Sequence, residues 1–212
     1  EAAINLTVGG GGTEIWIGDA SSKNGELRFS MDGGKWTGDM DLTQNDSTVK
    51  TSVDVYAMRP GAVWNGNAYV QDGASFTGRF YSGSVWNGSV EIKNETGVNL
   101  NSGANSMEIS SEGTIWTGDF SFDNTSSSQV ATTNTISSYY GAVWNGDFQS
   151  SNSVDAESLT KNSIVISDEA QWNGSATVSG NQEVEILVNR GRWNGNLDLT
   201  GNHTASDSAG RL

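Results

Sequence analysis

Gly61-Ala62-Val63-Trp64-Asn65-Gly66-Asn67-Ala68-Tyr69-Val70 is the stretch that decides how the chain folds, because its centre recurs throughout the sequence. Trp stands at 16, 36, 64, 86, 116, 144, 172 and 193, and each is followed two residues later by glycine: Gly18, Gly38, Gly66, Gly88, Gly118, Gly146, Gly174 and Gly195. The residue between is Asn65, Asn87, Asn145, Asn173 or Asn194 in five copies, Thr37 or Thr117 in two, and Ile17 in one. Phe76-Thr77-Gly78 reads as a ninth copy without Trp. A further glycine precedes most copies by two or three residues, as in Gly113-Thr114-Ile115-Trp116 and Gly141-Ala142-Val143-Trp144.

Working outward from the motif, apolar residues alternate on both sides. Four and six residues after Trp come Met40 and Leu42, Ala68 and Val70, Val90 and Ile92, Phe120 and Phe122, Ala176 and Val178, Leu197 and Leu199. Before the motif stand Leu27 and Phe29, Val53 and Val55, Met107 and Ile109, Val184 and Ile186. Alternation with a period of two is the mark of a strand with one buried face. Each unit is therefore three short strands separated by turns. Successive Trp are 20, 28, 22, 30, 28, 28 and 21 residues apart, a minimal length near 21 and a longer one near 29. The extra residues fall in polar tracts, 44–52, 124–138 and 149–162, and the last two are expected to protrude as loops because they have little apolar surface to bury.

Three strands per unit and a fixed minimal length predict an all-β fold, a three-sided parallel β-solenoid of roughly eight coils spanning residues 1–212 as one segment. Coils about 4.8 Å apart would set each Trp over its counterpart as an internal stack, and the neighbouring Asn as a corner ladder. A rival reading exists. Asn-Gly between apolar residues is also the strongest short signal for a two-residue hairpin, which would give an antiparallel sandwich. Against it, the glycine just ahead of most Trp leaves the preceding strand little room to pair.

Composition bounds the rest. Leu, Ile, Val and Phe make up only 19% of the chain and the formal charge is −14, which in a globule would signal disorder. Eight regularly spaced Trp contradict that. Eleven Lys and Arg against 25 Asp and Glu leave no footprint for nucleic acid. No stretch approaches the roughly 18 apolar residues of a spanning helix, so membrane insertion of this segment is not expected. Absence of Cys removes disulfides and thiolate metal sites.

The copies around Trp64, Trp86 and Trp144, the Thr variants at Trp36 and Trp116, the variable polar inserts and the lack of Cys together resemble the passenger region of bacterial autotransporters, the pertactin-like parallel β-helix, and the resemblance implies a right-handed coil. The likeness runs from about Gly9 to Thr200. It implies a segment of a longer passenger, exported through the periplasm and outer membrane of a Gram-negative bacterium. Its place would be the cell surface or the extracellular space, and its role adhesion or self-association. The partners implied are a host surface or matrix component, or the same protein on a neighbouring cell. The 212 residues contain neither a basic-then-apolar leader nor an amphipathic barrel, and the Gly-Asp-Ser-Gly motif of protease members and an Arg-Gly-Asp motif are absent from them.

Candidate reactive groups are few. His203 is the sole histidine, in the polar run Gly201-Asn202-His203-Thr204, where a solvated side chain is expected, and no Ser-His-Asp or Cys-His set can be assembled. Asp19, Asp39, Asp119 and Asp147 recur three residues after Trp, with Asn67 and Asn196 in equivalent places; a stacked carboxylate column suits Ca²⁺, yet Asp after Gly is also ordinary turn chemistry. The calcium-solenoid pattern is missing, because Gly9-Gly10-Gly11-Gly12 leads into Thr13-Glu14-Ile15. No cofactor, metal or catalytic residue is assigned. A carbohydrate-active β-helix with paired carboxylates, or a passive spacer, stands as the alternative to the adhesive stalk. Tyr56, Tyr69, Tyr81, Tyr139 and Tyr140 lie outside the repeated motif and are the candidates for an exposed contact surface.

Overall fold

The structure is a computed structural model that describes residues 3–9, 15–23, 25–43, 52–57, 59–72, 74–95, 104–125, 132–153, 160–180, 182–201 and 203–205. Their strands form three parallel sheets of nine, eight and eight strands. Successive strands of the chain step from sheet to sheet, and every third strand returns to the same sheet beside its predecessor, which makes a three-sided parallel β-helix of eight coils with the first strand of a ninth.

The long face comprises Ala3–Gly9, Glu26–Asp32, Ser52–Ala57, Ser75–Phe80, Ala104–Ser110, Thr133–Tyr139, Lys161–Ser167, Gln182–Asn189 and His203–Ala205. The tryptophan face comprises Ile15–Ile17, Lys35–Thr37, Val63–Asn65, Val85–Asn87, Ile115–Thr117, Val143–Asn145, Gln171–Asn173 and Arg192–Asn194. The third face comprises Ala20–Lys23, Met40–Thr43, Ala68–Gln71, Val90–Asn94, Phe120–Asn124, Phe148–Asn152, Ala176–Gly180 and Leu197–Thr200. Alternating side chains point inward on each face, so Leu27, Phe29 and Met31 are buried while Glu26 and Arg28 are exposed. Because the strands of a coil contribute only a few inward residues each, and a tryptophan-face strand just its Trp, the narrow core is filled by the few apolar residues available.

Parallel pairing throughout the three sheets excludes the antiparallel sandwich. The primed turns that the rival reading placed at Asn-Gly exist, but one position earlier in the coil, between the long and tryptophan faces. Tyr81-Ser82-Gly83-Ser84 has φ of 56° and 78° at its central residues and is closed by Ser84 N–H donating to the Tyr81 carbonyl at 3.1 Å. The only proline, Pro60, sits in the corresponding turn of the third coil ahead of Gly61 at φ 85°.

Two expectations are corrected. Phe76-Thr77-Gly78 is not a ninth copy: it lies within Ser75–Phe80 on the long face, with Phe76 opposite Val53. Gly78 is closely packed there: a Cβ would meet Met107 Sδ at 2.7 Å and the Phe76 ring at 3.1 Å, so a larger residue would have to displace the Met107 side chain. The tract 124–138 is not all loop either, because Thr133–Tyr139 is a long-face strand. Likewise Phe148–Asn152 runs into the tract 149–162 from one side and Lys161–Ser167 from the other. The middles of these tracts, 126–131 and 154–159, and residues 44–51, lie outside the described residues. The polar inserts thus begin and end in registered strands, since the sheet hydrogen bonds claim the backbone of Thr133 to Ser138 whatever the side chains are.

Candidate functional site

The tryptophan column is continuous from Trp36 to Trp193. Successive ring centroids are 4.6, 4.5, 5.3, 4.8, 4.7 and 4.9 Å apart, and the planes lie within 7° of parallel. Parallel registration in the three-residue strands, Trp opposite Trp, imposes that spacing on the rings. Trp36, Trp64, Trp86, Trp116, Trp144 and Trp172 are fully buried and Trp193, in the last complete coil, is half-buried. Trp16 shares the backbone register opposite Trp36, and its side chain lies outside the described residues.

The glycine two residues on belongs to the same column. Each indole N–H donates to the carbonyl of the motif glycine one coil earlier: Trp36 to Gly18 at 2.9 Å, Trp64 to Gly38 at 3.0 Å, Trp86 to Gly66 at 2.8 Å, Trp116 to Gly88 at 2.8 Å. Trp144, Trp172 and Trp193 continue the series to Gly118, Gly146 and Gly174, each at 2.9 Å. That carbonyl also faces the Cα of the next motif glycine so closely that a Cβ would approach its oxygen to 1.8–2.0 Å at all seven positions from Gly38 to Gly195. Trp-x-Gly is therefore one physical unit: glycine lets consecutive corners approach, and the approach brings the carbonyl to the indole.

The residue between Trp and Gly points outward, which is why Ile17 is 76% exposed. Among the described residues its column carries two side-chain bonds, Asn87 Nδ2 to Asn65 Oδ1 at 2.8 Å and Asn173 Nδ2 to Asn145 Oδ1 at 2.9 Å. Thr37 and Thr117 interrupt it. Asn194 is exposed at the last corner among the described residues.

The Asp column serves the backbone. Asp19 Oδ1 accepts from Asp39 N–H at 2.9 Å, Asp39 from Asn67 at 2.7 Å, Asn67 from Ser89 at 3.0 Å and Ser89 Oγ from Asp119 at 3.0 Å. Asp119 then accepts from Asp147 and Asp147 from Ser175, both at 2.8 Å, and Ser175 Oγ from Asn196 at 3.3 Å. Any short side chain with an acceptor two or three bonds from Cα suffices, which explains the free exchange of Asp, Asn and Ser. Among the described residues no group of three or more His, Cys, Asp or Glu is arranged to hold a metal ion. His203 falls on the final long-face strand opposite Gln182, with its side chain outside the described residues.

Two buried amide ladders went unread in the sequence. On the long face Asn105 Nδ2 donates to Asn134 Oδ1 at 3.0 Å, Asn134 to Asn162 at 2.9 Å and Asn162 to Gln182 Oε1 at 2.8 Å. Gln182 in turn donates to the Ser150 and Ser179 carbonyls. On the third face Asn124 Nδ2 donates to Asn152 Oδ1 at 3.3 Å, with Asn94 stacked before them. The second ladder has a signal: Asn94, Asn124 and Asn152 each stand eight residues after a Trp. Asn134→Ala is expected to cost about 1–3 kcal/mol, because it strands a buried Asn105 donor and a buried Asn162 acceptor, whereas truncating the solvent-facing Asn145 should cost about 0.5 kcal/mol or less. Urea midpoints of the two variants check this; equal midpoints would show that burial of the ladder is immaterial.

Outside, the side chains form straight rows. On the third face Ser121, Gln149 and Thr177 follow Glu91, and Asp123, Ser151 and Ser179 follow Lys93, flanking a shallow groove of about 320 Å³. A Lys93–Glu91 ion pair at 2.5 Å joins the two rows at one end. The long face carries a half-buried aromatic cluster: Tyr56 meets Tyr81 edge to face at 5.9 Å, and the Arg79 guanidinium lies 6.0 Å from the Tyr56 ring. Burial, together with the Glu108 carboxylate beside it, pushes the Tyr81 hydroxyl up to about 12. Tyr69 stands on the third face, Tyr139 packs beside Tyr140, and Tyr140 is 65% exposed.

No family model, curated protein or solved structure matches the chain. The described residues form a buried core inside an exterior of registered polar rows. No helix among the described residues is long and apolar enough to cross a membrane.

Proposed function

We propose that the chain is a surface-exposed passenger segment of a bacterial autotransporter, an adhesive or self-associating stalk that binds through its extended face. The observation that carries the reading is the row structure of the exterior, in which short hydroxyl, amide and carboxylate side chains repeat coil after coil on a flat sheet. Such a face suits binding by many weak polar contacts, each worth little and together enough to hold two long surfaces. The Gly-Ala-Val-Trp-Asn-Gly copies and their likeness to passenger repeats support placing it at the bacterial surface, with a host surface, a matrix component or the same protein on a neighbouring cell as partner.

The test displays the chain on a bacterium that does not clump and measures sedimentation and attachment to matrix-coated surfaces, beside a variant carrying Gln149→Lys, Thr177→Lys and Ser179→Lys. Cells with the parent chain should clump or attach and the variant should lose the effect while remaining folded. Cells that do neither more than undisplayed controls sink the proposal. Release of reducing or unsaturated ends from polysaccharides by the same cells would favour the enzymatic alternative instead.

A further inference from the structure

We propose that the tryptophan column conducts one-electron oxidation: an electron taken from the indole of one coil is replaced from the next, so that the electron hole travels along the stack. This activity is independent of the adhesive role and rests on three properties that the six indoles from Trp36 to Trp172 share.

Contact is the first. Their ring centroids follow one another at 4.5–5.3 Å with planes within 7° of parallel, so the π systems of neighbours touch. Phe29 and Phe80 also pack on the column, but a phenyl ring is harder to oxidise than an indole, and the hole stays on tryptophan. Equality is the second. All six are fully buried, each N–H donates to a glycine carbonyl at 2.8–3.0 Å, and among the described residues no charged side chain is buried with them. Burial makes the first radical cation costly to create. It does so alike at every coil, so passage between coils is nearly level, and the carbonyl oxygen at each indole edge favours positive charge there. The proton is the third. In water an indole radical cation loses its Nε1 proton, which fixes the radical in place. Here the N–H faces an amide carbonyl, a very weak base, with water excluded, so the proton stays and only the electron moves.

Each step balances. One indole gives one electron to the neighbouring radical cation, which returns to neutral as the donor becomes the radical cation, and no bond is made or broken. A one-electron oxidant at the tryptophan face starts the sequence. It ends where an indole does lose its Nε1 proton to water and the neutral radical combines with dioxygen.

Because the chain has no Cys, a photo-oxidant can be attached at one chosen corner. Thr37→Cys and Asn173→Cys place it on exposed positions beside Trp36 and Trp172, five stacking contacts apart, and exposed Thr117→Cys stands in should either variant fail to fold. The full 212-residue chain carrying a rhenium polypyridyl label is illuminated with a cobalt(III) ammine present. The excited label passes one electron to cobalt and takes one from the nearest indole, and oxidised Trp is then mapped by peptide mass spectrometry. The ratio of product at Trp36 to product at Trp172 should agree between the two labels to within about twofold, because an equilibrated hole keeps no memory of its entry. In denaturant, where the stack is gone, each label should oxidise its own neighbour and the ratio should invert between labels. An inverted ratio in the folded chain as well, an equal spread in denaturant, or a folded chain that yields no electron to the label would overturn the inference.

Discussion

Gly118→Ala is expected to destabilise the solenoid by about 4 kcal/mol or more, a loss that only a few kinds of substitution produce. The added Cβ would lie 1.9 Å from the Gly88 carbonyl oxygen, 2.4 Å from its carbon and 3.0 Å from the Ser89 nitrogen, all of them backbone atoms that cannot rotate away. Gly118 is itself pinned, its N–H donating to the Asn145 carbonyl at 3.0 Å. The only relief is to part the fourth and fifth coils, which breaks the bond from Trp116 Nε1 to Gly88 and opens the ring stack between Trp86 and Trp116. Because each coil rests only on its neighbours, a parting in the middle leaves two short stacks. Urea unfolding followed by Trp fluorescence reads the effect. Gly61→Ala is the control: the nearest atom to its new Cβ is the Gly33 oxygen at 3.9 Å, so it meets no collision and pays only the strain of φ 85°, about 1 kcal/mol. A Gly118→Ala protein that unfolds at the parent's urea concentration would refute the close-corner account.

At Trp116, truncation to alanine should cost about 3–5 kcal/mol and replacement by phenylalanine about 1–3 kcal/mol. The indole is fully buried between Trp86 at 5.3 Å and Trp144 at 4.8 Å, so alanine leaves a cavity flanked by two rings that no longer touch. Phenylalanine keeps a six-membered ring in the stack and removes the pyrrole part of the indole, with the N–H that the Gly88 carbonyl accepts. The same Trp→Phe change at half-buried Trp193 should cost less than at Trp116, because solvent can replace the lost donor to Gly174. Denaturation midpoints of the three variants provide the comparison. Equal costs for Trp116→Phe and Trp116→Ala would mean that the hydrogen bond, not ring packing, dominates the column.

The two results separate the halves of a motif that looked like one turn signal. In the sequence, Gly88 and Gly118 recur two residues after a Trp, and nothing local says why the position is glycine. In the structure Gly118 lies at φ 155°, where a side chain is disfavoured, and Gly88 does not, so the reason common to both lies one coil away, in the carbonyl of the preceding motif glycine. The Asp column shows the same shift of meaning. Asp119 and Asp147 suggested either a cation site or turn chemistry, and the structure gives each carboxylate a backbone N–H of the following coil. Phe76 shows the reverse error, since the aromatic-x-Gly string Phe76-Thr77-Gly78 belongs to the long face, where its partners in register are Val53, Asp54 and Val55.

What the sequence determined by itself was the order of the strands, the identity of the inward residues and the Trp stack. These follow from a period carried by nearest neighbours: Trp-x-Gly fixes a corner, and alternation on either side fixes which side chains face in. What only the tertiary structure decided was the partner of each polar group. The Trp N–H, the buried Asn105-Asn134-Asn162 ladder and the backbone bonds of the Asp column all join residues 18 to 30 positions apart across a coil boundary. Inserts of different length lie between those partners, so their pairing is set by the register in which coils stack. Sheet hydrogen bonding and the close approach at glycine establish that register only once the chain has closed on itself.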